Sequence, residues 1–535
     1  MPLVPPPATA SHSRRPRLLH RPRRPHAAWL AGLAAAAVAL LAACAHAPQS
    51  DALATLGPAD VHWLDTVTFG ADSASMQRLR QLGRDRFLAE QLKMPAADPP
   101  EVAATVAALP VSQVDAVQRL REVREERQRI NTLPDPDAQQ KARMALEQQR
   151  RELVLATGER HLLRAVYSPA QLREQMTWFW MNHFNLYAYK AGVPLLLPDF
   201  EEHVVRPRAL GHFRDLLMAT VTSGAMLDYL DNAQSSVGRI NENYARELME
   251  LHTMGVSGGP SGSRYTQQDV QELARLLTGV GLNPRGEPPR LGPRVAALYR
   301  SDGVFEFNPN RHDFGEKVLL GHRIAPTGFG EVEQAVTILS REPATARYLS
   351  CKIAAWFVAD DPPPALVSRM AATFTRTDGD IAAVLTTLFT APELDALLSA
   401  PHRKFKDPMV YVVSSLRLAY DGRGVTQWRP ALGWLGQLGE PLYGHVTPDG
   451  YAPGEDAWAS SGQMIKRFEI ARAIGTGRPP LAGAPAGTPP VVDNALFREA
   501  VAPTLGATTR AALAQAKTTG EWNMVLLSSP EWMQR

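Results

Sequence analysis

The stretch NENYARELMELHTMG, residues 241–255, has the pattern of a helix with one polar and one apolar face that ends at a glycine. It holds three Glu, two Asn, one Arg and one His in fifteen residues. At about 100° per residue, one arc of the helix carries Glu242, Asn243, Arg246, Glu247 and Glu250. The opposite arc carries Tyr244, Ala245, Leu248, Met249, Leu251 and, beyond them, His252. The pattern predicts an amphipathic helix that packs in a helical protein and displays a row of charges.

The charged arc of this stretch has two interpretations. Carboxylates three and four residues apart beside a His can bind a metal, as they do in di-iron helix bundles. Those bundles use Glu-x-x-His, whereas this stretch has Glu-x-x-Glu-x-His, which points His252 away from the carboxylates. The other interpretation is an ion-pair ladder of Glu242, Arg246 and Glu250, spaced four residues apart, with His252 hydrogen-bonded in the core.

Helical periodicity continues on both sides of this stretch, for example in residues 63–92 and in two long charged segments that break at LPDPD. Alternating apolar and polar residues instead predict a short β-hairpin near residues 303–325, with NPNRHDFG at its tip. We therefore expect residues 59–535 to form a mainly α fold, either one large multi-helix domain or two tightly packed helical subdomains. A subdivision is predicted near 280–330, and a Pro- and Gly-rich linker at 476–491.

Further polar groups lie among aromatic or turn residues. WFWMNHFN, residues 178–185, sets Asn182 and His183 inside an aromatic run, where buried polar groups need hydrogen-bond partners. RHDFGEK carries His312, Asp313 and Lys317 at the predicted hairpin tip. An Asp beside a His can orient the imidazole or bind a metal, but in a turn it often accepts bonds from local backbone amides. The loop TPDGYAPGEDAW is suited either to lining a cleft or to packing on the surface.

Residues 1–43 have the pattern of a bacterial export signal. A basic segment, SHSRRPRLLHRPRRPH, precedes AAWLAGLAAAAVALLAA, which is short for a stable membrane span. Cys44 ends the lipobox-like LAAC, which predicts cleavage before Cys44 and acylation of its thiol. An ordinary signal peptide and an uncleaved anchor are the alternatives. Residues 44–58 are predicted to be a tether. SRRPRLL is a degenerate twin-arginine motif, so the sequence leaves both the Tat and the Sec export routes open. We expect a periplasmic or outer-membrane lipoprotein.

The composition argues against several classes of function. The formal charge of +3 comes from the arginine-rich first segment, and no basic patch with interleaved aromatic residues follows it. We therefore expect no nucleic-acid binding. Apart from Cys44, the chain has only Cys351, which is predicted to pack in the core. The chain has no HExxH, CxxC, Walker or GxGxxG motif, so the sequence assigns no cofactor or metal.

Six stretches, in this order, resemble the bacterial family catalogued as domain of unknown function 1800. They are WFWMNHFN, NENYARELMELHTMGV, YTQQDVQELARLLTG, HDFGEKVLLG, ATARYLSCKIAAWFVADDPP and GEPLYGHVTPDGY. The resemblance runs from about Thr68 to the C-terminus, with SGGPSGSRY in place of a shorter GGY junction. It implies an exported, mainly helical protein, often encoded beside a sulfatase- or phosphatase-like partner of the domain-of-unknown-function 1501 family. It implies no reaction.

The first functional hypothesis is a non-catalytic accessory or scaffold at the cell envelope, held at the membrane by a lipid on Cys44. It predicts that the charged motif residues form salt bridges between helices. Under this hypothesis Arg246 and Arg275 pair with the carboxylates of Glu247, Glu242 or Glu272.

The alternative hypothesis is a metal-assisted envelope hydrolase. It requires polar residues from several motifs to meet within about 5–6 Å of one pocket. A carboxylate would act as general base or metal ligand, and a His as ligand or acid. The candidate catalytic residues are Glu247, His252, His312, Asp313 and Lys317. The candidate binding residues are Asn182, His183, Glu242, Asn243, Arg246, Glu250 and Arg275.

Overall fold

The computed structural model describes residues 56–256, 265–400, 403–421 and 424–535. The predicted signal, the predicted lipidation site Cys44 and most of the predicted tether lie outside these described residues. Within the described ranges, no helix has both the length and the apolar character that crossing a bilayer would need.

Helices make up most of the described chain, as the apolar periodicity predicts. The first α-helices are α1 (Pro58–Val67), α2 (Ser73–Lys93), α3 (Pro100–Ala108), α4 (Ala116–Asn131), α5 (Pro136–Tyr167), α6 (Gln171–His183), α7 (Val193–Asp199), α8 (Phe213–Val221), α9 (Gly224–Tyr229), α10 (Glu242–Glu250) and α11 (Gln267–Leu276). They are followed by α12 (Pro293–Ala296), α13 (Phe329–Arg341), α14 (Pro343–Phe357), α15 (Pro364–Arg376), α16 (Ile381–Phe389), α17 (Leu394–Leu398), α18 (Pro408–Tyr420), α19 (Arg429–Gln437), α20 (Ser461–Thr476), α21 (Ala507–Gln515) and α22 (Thr519–Leu527). Short 3-10 or π turns are Pro110–Ser112, Phe200–Val205, Arg206–Arg208, Asn232–Gln234, Glu455–Ala457, Phe497–Val501 and Ala502–Thr504.

The break between α4 and α5 shows how local sequence sets the helix ends. Asp135 caps α5, because its side chain accepts hydrogen bonds from the amides of Asp137 and Ala138. Pro136 occupies the first helical position, where a missing amide hydrogen costs nothing. The two helices then pack against each other, as the sequence predicts.

The strands form two small antiparallel sheets. A short hairpin lies within residues 303–325, as predicted, but its tip and the pairing of its first predicted strand differ from the prediction. β1 (Val280–Leu282), β2 (Arg300–Asp302) and β3 (Phe305–Phe307) form a sheet of order β1-β3-β2, and β4 (Lys317–Leu319) pairs with β5 (His322–Ile324). Tight turns explain the difference. Leu320 and Gly321 have φ of 50° and 81°, which suits the two-residue turn of a hairpin. NPNRHDFG therefore connects the two sheets instead of forming a hairpin tip.

The helix α6 runs through the interior and is buried at every position. Its aromatic residues pack edge to face, as between Phe179 and Trp180 with ring centres 4.8 Å apart. Its buried carboxylate, Glu174, lies 2.7 Å from the guanidinium of Arg206, which offsets the cost of burying the charge. Residues Thr55–Arg535 cluster as one compact unit, and the boundaries predicted inside it stay predictions.

Candidate functional site

The C-terminal end of α6 holds a loop from a distant part of the chain, residues 440–451, which we call the motif loop. The side-chain amide of Asn182 binds the backbone of Tyr451 in both directions. Its Nδ2 donates to the Tyr451 carbonyl at 2.9 Å, and its Oδ1 accepts from the Tyr451 amide at 2.7 Å. Because both of these amide atoms are used, Asn182 is a positioning residue for the motif loop.

Two more side chains fix the motif loop. Asn185 donates from Nδ2 to the carbonyls of His445 and Thr447, at 3.0 and 2.7 Å. The hydroxyl of Tyr443 donates to the buried carboxylate of Glu201. Tyr443 has a φ of 60°, and such a conformation in a bulky residue persists only where its surroundings hold it. These contacts fix the conformation of the motif loop.

We expect Gly450→Ala to destabilise the protein by about 2–4 kcal/mol. Gly450 has a φ of +74°, and a Cβ there would come within 2.2 Å of the Asn182 carbonyl oxygen. Urea unfolding checks this expectation through the midpoint of the transition. Gly462→Ala is the matched control, since nothing lies within 4 Å of its added Cβ. A loss for Gly450→Ala no greater than that of the control would contradict the prediction.

A cavity of about 250 Å³ lies between the motif loop, α6 and α14. Its walls include the rings of Phe179, Tyr348, Trp356 and Tyr451 and the polar side chains of His183 and Lys352. Three of the stretches that carry the family resemblance line this cavity, and the NENYARELMELHTMG stretch contacts one of its lining residues, because the carbonyl of His252 lies 3.1 Å from His183 Nε2. We call it the motif pocket.

His183 is a neutral, buried group on the wall of the motif pocket, with 1% of its surface exposed. Its Nε2 lies 3.1 Å from the carbonyl oxygen of His252. Since a carbonyl can only accept, Nε2 carries the proton and Nδ1 is left as an acceptor. Nδ1 has no partner among the described residues. Burial, and then the charge of Lys352, holds the pKa of His183 well below its ordinary value.

Lys352 is the cation of the motif pocket. Its Nζ lies 5.5 Å from the centre of the Tyr348 ring. In the described part of the chain, no hydrogen bond or ion pair to Nζ is present. Burial lowers the pKa of Lys352 to about 8, while the carboxylate of Asp449 opposes that shift, so the ammonium is still protonated at pH 7. The indole Nε1 of Trp356 is likewise buried without a partner among the described residues.

Glu247 lies partly buried near the motif loop. Burial, followed by the charges of Glu250 and Asp449, raises its pKa. Burial and the charge of Glu247 together raise the pKa of Tyr229 to about 12. The expected ion pair of Glu247 with Arg246 is absent from the contacts of the described residues, so Glu247 is the acidic group of the motif that keeps no partner.

The remaining charges of α10 bind within the helix or across to α11. Arg246 lies 3.6 Å from Glu250, four residues on, which is one rung of the expected ladder. Glu242 does not form the other rung. It accepts hydrogen bonds from Gln267 and Gln271 of α11, at 2.7 and 3.2 Å. Asn243 is exposed. Side-chain amides of α11 therefore hydrogen-bond to α10. The sequence could not show this, because it does not reveal which helix packs beside α10.

His312, Asp313 and Lys317 lie in a second place, under α13. Glu331 accepts from His312 Nε2 at 3.0 Å and from Lys317 Nζ at 2.6 Å, and the side chains of these three residues are fully buried. The side chain of Asp313 is partly exposed. Both hydrogen bonds hold the pKa of Glu331 below its ordinary value, although burial alone would raise it. We call His312, Lys317 and Glu331 the buried ion triad.

Asp313 points to Arg275 instead of to the triad. Arg275 Nε donates to the Asp313 carboxylate at 2.8 Å, and this bond lowers the pKa of Asp313 to about 2. Arg275 also pairs with Glu272 at 2.9 Å, which is one of the partners that the accessory hypothesis names, but the pair lies within α11 and not between helices. These charges join α11 to the segment before β4.

The single cluster required by the hydrolase hypothesis is therefore divided. In the ranges that the structure describes, no hydrogen bond, ion pair or ring contact joins His312 or Asp313 to His183, His252 or Glu247. No group of three or more His, Cys, Asp and Glu among these residues has the arrangement to hold a metal. The physical reason is that the NPNRHDFG connection directs His312 toward α13, which the wrong hairpin pairing did not anticipate.

Sequence reasoning missed several residues of both clusters. Lys352 and Trp356 lie in α14 and Glu331 lies in α13, and both helices carry other charged residues, so no isolated charge or motif marked these three in the sequence. Cys351 was predicted to pack in the core, but it is exposed and lines the motif pocket. The error arises because an apolar run shows periodicity without showing which side of the helix meets a cavity.

The family model described as "Protein of unknown function (DUF1800)" matches residues 62–534, which is nearly the whole chain. Among the curated proteins, none matches the chain. No solved structure matches it either.

Proposed function

The chain belongs to the DUF1800 family of proteins of unknown function, and from this premise we propose that it is an exported lipoprotein that acts as a ligand-binding accessory at the cell envelope. The motif pocket is its binding site. The accessory serves a partner protein, for which the family resemblance suggests a member of the domain-of-unknown-function 1501 family. Its fold provides recognition, a lipid on Cys44 provides the membrane anchor, and it carries out no reaction.

One observation carries the proposal. Stretches that are far apart in the chain converge on a cavity of about 250 Å³, yet three buried or partly buried polar groups on its wall have no partner among the described residues. These groups are the imidazole of His183, the ammonium of Lys352 and the indole of Trp356. Buried polar groups are normally satisfied, and the ammonium of Lys352, which is partly exposed and lines the cavity, is the group that a ligand there can complete.

The other charged motif residues support an accessory in preference to a hydrolase. Arg246, Arg275 and Lys317 are paired within the protein. Contacts between elements also involve them: Arg246 donates to Gln267 of α11, Arg275 pairs with Asp313 before β4, and Lys317 of β4 pairs with Glu331 of α13. The hydrolase hypothesis needs His312 and Asp313 at the pocket, and their contacts lie with Glu331 and Arg275 instead.

The proposal is tested by following Cys351, which lines the pocket and is exposed. In the full chain with Cys44→Ser, Cys351 is the only thiol. We expect the low-molecular-weight fraction of an envelope extract to slow its alkylation by iodoacetamide. Ala355→Trp fills the same pocket and should abolish this protection, while Ala104→Trp on the exposed side of α3 should not.

The fate of the protecting compound separates binding from catalysis. We expect mass spectrometry to recover it unchanged after prolonged incubation with the protein. Its conversion to a product would contradict the accessory proposal and favour an enzyme. Protection that persists in Ala355→Trp would mean that the compound binds somewhere other than the motif pocket.

We expect Cys44→Ser to release the protein from the membrane fraction. Each buried methylene of an acyl chain contributes about 0.8 kcal/mol to membrane binding, so loss of the lipid removes the main anchor. Metabolic labelling with an alkyne fatty acid, followed by fractionation, checks this. Cys351→Ser is the matched control and should keep both label and membrane binding. A Cys44→Ser chain that stays labelled would contradict the lipoprotein assignment.

A further inference from the structure

A second cleft lies between α5 and the turn that leads from α6 into α7. Its volume is about 390 Å³, which is within the range of ligand-binding clefts, and it shares no lining residue with the motif pocket. We call it the tyrosine cleft. The residues that line it are Glu147, Arg150, Arg151, Tyr187, Tyr189 and Pro194. All of these except Pro194 carry a polar side-chain group, so the cleft suits a polar ligand.

The turn that carries the two tyrosines is held in place from both sides. The amide of Ala188 donates to the carbonyl of Tyr443, in the motif loop, at 2.9 Å. The guanidinium of Arg150 donates to the carbonyl of Ala191. The two tyrosine rings of the cleft meet edge to face, with their centres 5.7 Å apart. Because this arrangement exists before binding, a ligand meets little ordering cost.

One positive charge and two hydroxyls of the tyrosine cleft are free to bind a ligand. Arg150 is paired with Glu147 at 2.7 Å, but the exposed Arg151 has no hydrogen bond or ion pair within the described ranges. The same holds for the hydroxyls of Tyr187 and Tyr189. Burial, and then Tyr187, raises the pKa of Tyr189, and the charge of Arg151 opposes that shift. Arg151 therefore acts on the same part of the cleft as the two hydroxyls.

These free groups specify the chemistry of a ligand. The planar guanidinium of Arg151 matches a carboxylate or a phosphate, and tyrosine hydroxyls both donate and accept hydrogen bonds. The side chain of Tyr189 is 45% exposed, so its ring offers a flat apolar face to the ligand. A sugar combines hydroxyl groups with C–H groups that pack against such a face, and an acidic sugar adds the anion.

We propose that the tyrosine cleft binds an acidic sugar. The carboxylate or phosphate of the sugar accepts from Arg151, its ring hydroxyls bond to the hydroxyl of Tyr187, and its C–H face packs on the ring of Tyr189. The site goes beyond the proposed function, because it gives the protein a contact with acidic glycans that is separate from the motif pocket.

Three sugars that differ at one carbon test the assignment on the full chain with Cys44→Ser. Glucuronate carries a carboxylate at that carbon, glucose 6-phosphate carries a phosphate, and glucose is neutral. Saturation-transfer difference NMR measures the binding of each. We expect at least one of the acidic sugars to bind about tenfold more tightly than glucose, as a charge-assisted hydrogen bond implies. The tighter of the two acidic sugars tells whether the natural anion is a carboxylate or a phosphate.

Variants of Arg151 identify the group that binds the anion. Arg151→Gln should weaken binding of the acidic sugar about tenfold, while Arg151→Lys keeps the charge and should retain part of the affinity. Arg127→Gln is the matched control, since it removes an exposed arginine of α4 that does not line the cleft. The midpoint of urea unfolding should be the same in all three variants, because both arginines are exposed.

Two further variants test the ring and the location. Tyr189→Ala removes the ring and should weaken binding of the acidic sugars and of glucose alike, whereas Tyr189→Phe keeps the ring and should retain most of the affinity. Ala355→Trp fills the motif pocket and should leave sugar binding unchanged.

The results that would overturn the assignment are distinct. Equal binding of glucose and both acidic sugars would remove the role of the anion, and unchanged binding in Arg151→Gln would remove the site. If acetate displaced glucuronate as well as glucuronate itself does, the cleft would bind a small anion and not a sugar. None of these results touches the protection of Cys351 by the envelope extract, so a failure here is distinguishable from a failure of the proposed function.

Discussion

Glu331→Gln is expected to lower the free energy of unfolding by about 3–5 kcal/mol. The substitution keeps the shape of the side chain but removes the negative charge that faces both His312 and Lys317. The side chains of the buried ion triad have no exposed surface, so the ammonium of Lys317 would remain in the interior opposite a neutral amide. The midpoint of urea unfolding, with the slope of the transition unchanged, measures the loss.

The control for this charge removal is Glu469→Gln on the surface of α20. Glu469 pairs with Lys466 at 2.7 Å, but both side chains are about half exposed. Such pairs contribute at most about 1 kcal/mol, so we expect little change. If Glu331→Gln cost no more than Glu469→Gln, the triad would not be a structural ion cluster, and its residues would return as candidates for a functional site.

Acid is expected to destabilise the protein through two buried histidines, His183 of the motif pocket and His252 beside it. Burial, followed by the charge of Lys352, lowers the pKa of His252 to about 3. Between pH 6.5 and that value the unfolded chain binds a proton that the folded chain does not bind. Stability is therefore present above pH 6.5 and falls with decreasing pH, by about 1.4 kcal/mol per pH unit for each such histidine.

For His252 alone, the loss from pH 7 to pH 5 amounts to about 2 kcal/mol. His183, whose pKa is also held low, adds to the same slope. His252→Leu should reduce the pH dependence by the share of one proton. Urea unfolding at several pH values between 7 and 5 measures this slope.

Phe184→Leu is the control for the loss of packing. Its ring centre lies 5.0 Å from that of His252, so the substitution disturbs the same contacts without removing a titratable group. We expect it to lower stability at every pH and to leave the slope as it is. An unchanged slope in His252→Leu would show that His252 does not contribute to the pH dependence.

The sequence predicted individual residues of the candidate site but not how they come together. His183, Asn182 and Glu247 were recognised as polar residues in apolar or helical surroundings, and the structure brings the first two to the motif pocket. Lys352 was not recognised, because a lysine in an apolar helix has no motif of its own. The sequence also could not reveal that Asn182 holds Tyr451, since these residues are 269 positions apart.

The sequence by itself determined the mainly helical fold, most helix starts and breaks, and the residues of the family motifs. These features depend on neighbours within a turn or two, such as the cap of α5 by Asp135. Only the tertiary structure decided which motifs meet. It brought Lys352 to His183, turned His312 toward Glu331, and paired β3 with β1 and β2 instead of β4. The reason is that periodicity and capping depend on residues close together in the chain. The partner of a buried charge depends instead on how segments far apart in the chain pack against each other.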